Sequence, residues 1–426
     1  MSDSEYDKLL SFQEALELVK LPPDSNSQYR FIGTRSAYLP GCDYPPEKEM
    51  PSFHTAAYGG HVYAQSALAA CRTWGGIEDQ NKIPKSQKLG LHTIHGFFTA
   101  AGNRHRPFIY SATPLTSTRS FSTLSVTAYQ PSLRSTASTA ESSPSSESSS
   151  PSSEERPDRF PHFPLSDASL TLSPTPSFTA LISFKASEPH SAGIAIQEPP
   201  PQIRFRDILA SRKPTDWPPA PPVDIDGVRA LVGEDVIGEF PIVEMRKVDM
   251  TSYNEGKPVH ERRELLLYRL LKPLPSSDGD GEGGGDGVQE GNNHAVIHAY
   301  VVDRNGLLMA CNHLGMGWTL GKAASLSYSI VFHTNVEECV MRYGSRETDL
   351  DLSPDWEARS KGKADGESEG VWWIQEAWFP RAGAGRGIVE SKVWSPGGVH
   401  VATEYQDGLI RSFEKEEQKP KWNPKL

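Results

Sequence analysis

The chain has 426 residues, and that length suggests two or three folding units. Its formal charge of −11 argues against a general binder of nucleic acid or of anionic membrane. Four cysteines, Cys42, Cys71, Cys311 and Cys339, form no C-x-x-C pair, so neither a zinc site nor a disulfide scaffold is indicated and a reducing compartment is expected. The opening stretch MSDSEYDKLLSFQEALELVK lacks the apolar core of a secretory signal, and no apolar run reaches the ~18 residues that a membrane-spanning helix needs.

Taken along the chain, Ser11–Lys20 reads as a short docking helix, with Ser11 and Glu14 as a capping box and Phe12, Leu16 and Val19 on one face. Gly59-Gly60 suits a tight turn before an Ala-rich helix that runs to Cys71. Strands are expected at Leu91–Phe98, Phe108–Ala112, Ser120–Gln130 and Phe178–Lys185. Residues 131–156 hold twelve Ser in 26 positions, too little apolar surface to offset chain entropy, and mark an insertion of about 131–176. The Pro clusters of 199–240 read as an extended linker.

The second half repeats this order. Strands Ile242–Lys247 and Glu264–Leu271 precede a helix at Ala295–Ala310, and strands follow at Ser325–Phe332, Glu338–Ser345, Val371–Phe379, Ile388–Trp394 and Val399–Ile410. A Gly/Asp-rich insertion occupies 274–293, and 349–370 is charged with little apolar content. The expected class is α+β. Two copies of a helix wrapped by a curved antiparallel sheet would join edge to edge, covering two exposed edges. The units are 1–198, the linker 199–240, 241–413, and a flexible tail 414–426.

Blocks in both halves carry a family resemblance. They are Gly59-Gly60-His61-Val62-Tyr63-Ala64-Gln65, Leu91-His92-Thr93-Ile94-His95-Gly96-Phe97-Phe98, Pro107-Phe108-Ile109-Tyr110 and Arg119-Ser120-Phe121-Ser122, then Ala299-Tyr300-Val301-Val302-Asp303, Ala324–His333, Gly385-Arg386-Gly387 and Gln406-Asp407-Gly408-Leu409-Ile410-Arg411. In this order they resemble the type-II acyl-CoA thioesterases, whose subunit is a double hotdog. The chain departs from that family's usual pattern at Tyr268, Val302 and Asp407.

The resemblance implies hydrolysis of fatty acyl-CoA to fatty acid and CoA without a covalent intermediate or a cofactor, with Asp303, Ser325 and Gln406 organising one water. These side chains suit that chemistry, since a buried carboxyl can act as a general base, and a hydroxyl and an amide can both donate and accept. Ser327 and Ser329 alternate with Ser325, so a register shift of two would move its role to Ser327. Arg119, Arg386 and Arg411 stand in matching motifs and are candidates for the CoA phosphates. His61 and Gln65 take about the place of Asp303 in the first copy, which lacks the carboxylate. His92, His95 and His333 have no carboxylate at ligand spacing, so no metal is expected.

Two other readings stand beside this one: a hotdog dehydratase or hydratase, whose chemistry pairs an Asp with a His, and a non-catalytic acyl-CoA-binding protein. The ending Pro424-Lys425-Leu426 matches two of the three positions of a Ser-Lys-Leu import signal. Together with the family's frequent location, this makes the peroxisomal matrix the expected compartment, an import receptor an expected partner, and the cytoplasm the alternative. A second copy of the chain is the other candidate partner.

Overall fold

The computed structural model describes residues 9–25, 28–41, 56–132, 160–189, 196–225, 228, 240–274, 287–304, 306–316, 320–342 and 372–412. Cys42, the Ser-rich run beyond 132, the Gly/Asp run through 286, the charged stretch 349–370 and the tail with Pro424-Lys425-Leu426 lie outside them.

The duplication expected from the sequence is visible in the strand order. The first copy consists of β1 (Leu18–Leu21), β2 (Tyr29–Gly33), helix α1 (Gly59–Gln80), β3 (Leu89–Phe98), β4 (Ile109–Ser117), β5 (Phe121–Tyr129) and β6 (Phe178–Ala186). The second consists of β7 (Val243–Lys247), β8 (Glu264–Leu270), α2 (Gly287–Val301), α3 (Gly306–His313), β9 (Leu320–Phe332), β10 (Trp373–Gly383), β11 (Arg386–Trp394) and β12 (His400–Ser412). They form one sheet in the order β1-β2-β4-β5-β6-β3-β9-β12-β11-β10-β8-β7, the second copy mirroring the first. The join is the antiparallel pair β3–β9, with Ile94 opposite Ile330 and Phe97 opposite Ser327. Pairing the two inner edges leaves neither available to another chain.

Burial alternates along β5 and β11, as one-sided strands require. Helix α1 is buried almost all round from Gly60 to Ala70, and its Ala residues let α2 and the sheet come close. Ser66 and Thr73 are buried there without orphaned hydroxyls, because each donates to the carbonyl four residues back, at 2.8 Å. The main core cluster draws on both copies and includes the ring group Tyr38, Tyr58, Phe240 and Tyr300.

Several local expectations change. The capping box of Ser11 and Glu14 is present, but the helix is a single turn, Phe12–Ala15. Val19 and Lys20 belong to β1, paired with Ile32 and Phe31. No strand starts at Glu338: Val336–Cys339 is a 3-10 turn capped by Asn335. The helix expected at Ala295–Ala310 begins earlier, within the stretch assigned to the insertion 274–293, and it breaks after Val301, a second helix starting at Gly306.

The described part of the 199–240 segment is packed rather than a free linker. Short helical turns at Pro201–Arg204 and Arg206–Leu209 bury Phe205 and Leu209, and these join Trp217 in a cluster with Leu265, Leu267, Trp372, Ile374 and Trp394. Leu266, Tyr268 and Leu270 of the same strand β8 belong instead to the main core. The segment therefore covers the face of the sheet turned away from the helices. This accounts for the apolar run Leu265–Tyr268 in β8, because a strand covered on both faces has no solvent-facing side. Ion pairs fasten the segment. Arg204 donates to buried Glu376, and Lys247 bridges Asp224 at 2.6 Å and Glu264 at 3.2 Å.

Candidate active site at the break between two helices

The turn between α2 and α3 carries Asp303. Its exposure is 8%, and its carboxylate points at the start of the other copy's helix, where the Gly60 N–H donates to Oδ2 at 2.6 Å. Two glycines allow this approach. A Cβ on Gly60 would lie 2.7 Å from the Tyr300 carbonyl, and one on Gly59 would lie 3.0 Å from Asp303 Oδ2. The Gly pair therefore opens the helix itself and makes room for α2, where the sequence suggested a preceding turn. Tyr58 ties the same junction by donating its hydroxyl to the Tyr300 carbonyl at 2.7 Å.

The other oxygen of Asp303 meets β12. Gln406 Nε2 donates to Asp303 Oδ1 at 2.8 Å and to Ser325 Oγ at 2.9 Å, and it also contacts the Tyr328 hydroxyl. Ser325 Oγ and the Tyr328 hydroxyl are 3.1 Å apart. Asp303, Ser325 and Gln406 thus come together although they lie on a helix break and two strands. Gln406 is buried, and its Oε1 has no partner among the described residues.

Burial raises the Asp303 carboxyl from an ordinary 3.8 to about 7, against the opposing pull of the Gly60 and Gln406 donors. The positive end of α1 favours the same anion, yet desolvation prevails. A carboxyl that titrates near neutrality can accept a proton at physiological pH and return it.

A β-bulge decides which serine belongs here. Asp407 pairs with Ser327 and Gly408 with Ser325, leaving Leu326 as the extra residue. The bulge turns Ser325 to the side of Tyr328, the face that also buries Ile330. Ser327 and Ser329 point the other way. Without the bulge Ser325 would share their face, which is the expectation the sequence alone supports. The bulge also hid Tyr328, a member of the cluster that strand alternation places on the wrong face.

The three arginines are not gathered with this cluster. Arg119 is exposed in the β4–β5 turn. Arg386 sits at the matching β10–β11 turn and pairs with Asp407 at 3.3 Å. Arg411 is exposed on β12, about 16 Å along the strand from Gln406 at ~3.3 Å per residue. In the first copy α1 runs unbroken for 22 residues. There Gln65 Oε1 accepts from the Tyr110 hydroxyl at 2.8 Å, and burial lowers His61 to about 4, so that site is polar and uncharged. The histidines of β3 and of the end of β9, at the central join, bond to hydroxyls, His92 to Ser183, His95 to Ser329 and His333 to Thr403. Tyr268 is buried with its hydroxyl against His298 Nδ1 at 2.7 Å, and the Val302 carbonyl accepts from Gln375 at 2.9 Å.

Fold and site define a double hotdog with a buried carboxyl at the junction of its two helices. Residues 46–140 match the family model of the acyl-CoA thioesterase N-terminal domain. The acyl-CoA thioesterase II TesB2 from Mycobacterium marinum has this fold, at a TM-score of 0.51 and 18% identity over 96% of this chain and 99% of that one. A protein from Thermobifida fusca YX described as a candidate thioesterase II is similar at a TM-score of 0.50 and 12% identity, over 95% and 98% of the two chains. No curated protein matches the sequence. The solved structures establish the double-hotdog fold, and the family model ties residues 46–140 to the N-terminal domain of the acyl-CoA thioesterases. Among the described residues no helix is long and apolar enough to cross a membrane.

Proposed function

We propose that this protein hydrolyses fatty acyl-CoA to a free fatty acid and CoA. The observation that carries the reading is the Asp303 carboxyl, buried, titrating near 7, and held against Gln406 and Ser325. In this reading a water held by Ser325 and Gln406 attacks the thioester carbonyl while Asp303 takes its proton. The C–S bond of the tetrahedral intermediate then breaks, and the proton passes from Asp303 to the departing thiolate. Asp303 is the general base, and Ser325 and Gln406 orient the nucleophile. The CoA phosphates fall to Arg119, Arg386 and Arg411.

Release of free thiol from acyl-CoA substrates of graded chain length tests this directly. Turnover by the wild type and not by Asp303→Asn supports the reading. Binding without thiol release would replace it with the acyl-CoA-binding protein. A dehydratase would need a histidine beside the carboxyl, and neither group that hydrogen-bonds Asp303 is one.

For location, the ending Pro424-Lys425-Leu426 supports import into peroxisomes. A fluorescent protein fused to the N-terminus should form puncta with a peroxisomal marker, and removal of the last three residues should make it diffuse. Diffuse signal from both forms would return the protein to the cytoplasm and leave the hydrolase reading untouched.

A further inference from the structure

β12 carries a second buried carboxyl that the reaction above does not use. Glu404 is 1% exposed and stands two residues before Gln406, hence on the same face of the strand. Its strand neighbours are Ile330 on β9 and Ser391 on β11. Neither of its oxygens has a hydrogen-bond partner among the described residues. The Ser391 Oγ hydroxyl, opposite it on β11, is the one neighbour that favours its charged form. Gln375 donates to that Oγ at 3.3 Å and to the Val302 carbonyl at 2.9 Å, so a polar chain leads back to the helix break that carries Asp303.

The titratable groups around Glu404 are few. Asp303 faces it from the helix break, Tyr63 from α1, and Glu390 approaches from β11. Among the described residues, none of the groups that shift it is a lysine, arginine or histidine. The two carboxyls therefore stand in one buried region under different conditions. Asp303 has two donors, the Gly60 N–H and the Gln406 amide, that stabilise its charged form. Glu404 has only the Ser391 hydroxyl, against which burial prevails, and a buried carboxyl with no cation beside it stays neutral. Two carboxyls that feel each other's charge lose their protons in separate steps.

We propose that Asp303 and Glu404 form a coupled acid pair in which Asp303 ionises first, Glu404 keeps its proton in the working enzyme, and ionisation of Glu404 at alkaline pH switches the site off. The functional part rests on the hydrolase reading. Glu404 is a positioning residue that acts through the charge of Asp303 and touches no substrate. Burial, reinforced by the negative charge of Asp303, holds it well above the usual carboxylate range. While it is neutral the site carries a single negative charge. A second would oppose the charge that grows on the thioester oxygen during attack.

Infrared difference titration of the substrate-free full chain tests the pair. Asp303→Asn should retain a protonated-carboxyl band above neutral pH that is absent from the Asp303→Asn, Glu404→Gln double variant. The pH profile of thiol release, corrected for enzyme-free hydrolysis, is the second arm. The wild type should fall on the alkaline side by about tenfold per pH unit, and Glu404→Gln should keep the acid limb and lose that fall. Glu404→Leu serves the same purpose if the glutamine variant does not fold. An identical band in the single and double variants, or an alkaline limb unchanged in Glu404→Gln, overturns the proposal. If the wild type releases no thiol the hydrolase reading fails, and the infrared titration still decides whether the pair exists.

Discussion

Replacing Asp303 by Asn should make the protein less active and more stable at once. The amide is isosteric and cannot take a proton from water, so turnover should drop on the order of 10²–10⁴-fold, the usual worth of a general base. Stability moves the other way. In the folded protein the Asp303 carboxyl titrates at about 7 instead of 3.8, so folding opposes its ionisation. Wild-type stability is unpenalised below the unfolded value, declines as pH rises from about 4 to about 7, and carries the full cost above that window. Three units at about 1.4 kcal/mol each put that cost on the order of 4 kcal/mol. The asparagine side chain escapes it and keeps the same contacts: its Oδ1 accepts from Gly60, and Gln406 can turn its unpartnered Oε1 to receive the new Nδ2 donor. Urea unfolding at about pH 5 and about pH 8 should show a gain for the variant that is larger at the higher pH. Equal stability of the two proteins at the higher pH, or wild-type turnover by the variant, would refute the account of Asp303 as a strained general base.

Ser325→Ala should lower turnover about tenfold to a hundredfold, the range for one hydrogen-bonding group in a buried site, and Ser327→Ala should stay within about twofold; a reversed order in steady-state kinetics would contradict the bulge. Arg204→Ala removes one of two guanidinium groups on buried Glu376 and should cost roughly 3 kcal/mol in chemical unfolding, the low end for a broken buried pair because Arg263 remains 3.5 Å away. An unchanged midpoint would show that the 196–225 segment contributes little to the second copy. Gly60→Ala should destabilise by about 1–3 kcal/mol through the Tyr300 carbonyl, whereas Gly75→Ala in the same helix, with nothing within 4 Å of a new Cβ, should stabilise by about 1 kcal/mol. Thermal melts of the two variants should shift in opposite directions.

Much of the fold can be read from residue spacing. Alternation along Phe121–Tyr129 and Arg386–Trp394 announces strands half buried, and the Ala-rich run after Gly59 announces a wrapped helix. Their order, met twice, yields the duplication and with it the edge-to-edge sheet. Asp303, Ser325 and Gln406 were also reachable from sequence, because each stands in a block matched in order. These are local properties: periodicity records which side of an element faces the core, and a motif keeps its own neighbours.

What the chain withheld depends on elements far apart in sequence. Gly60 and Asp303 are 243 positions apart, and their contact exists only because α1 and α2 meet end to end. The break that carries Asp303 falls at the polar run Asp303-Arg304-Asn305-Gly306, with no proline there, and the apolar residues on both sides make one helix the natural reading. The bulge at Leu326 belongs to the pairing of β9 with β12, not to β9 alone, and it brings Ser325 onto the face of Tyr328, which plain alternation would put opposite. Glu404 reads as one more strand residue until the helix break comes to rest over its face. The Pro-rich 196–225 segment resembles a linker by composition, and only the second, apolar face of β8 and β10 gives it something to cover. Sequence patterns determine which face of each element is buried. What is buried against that face is decided by packing, and the chemistry of this site depends on the second.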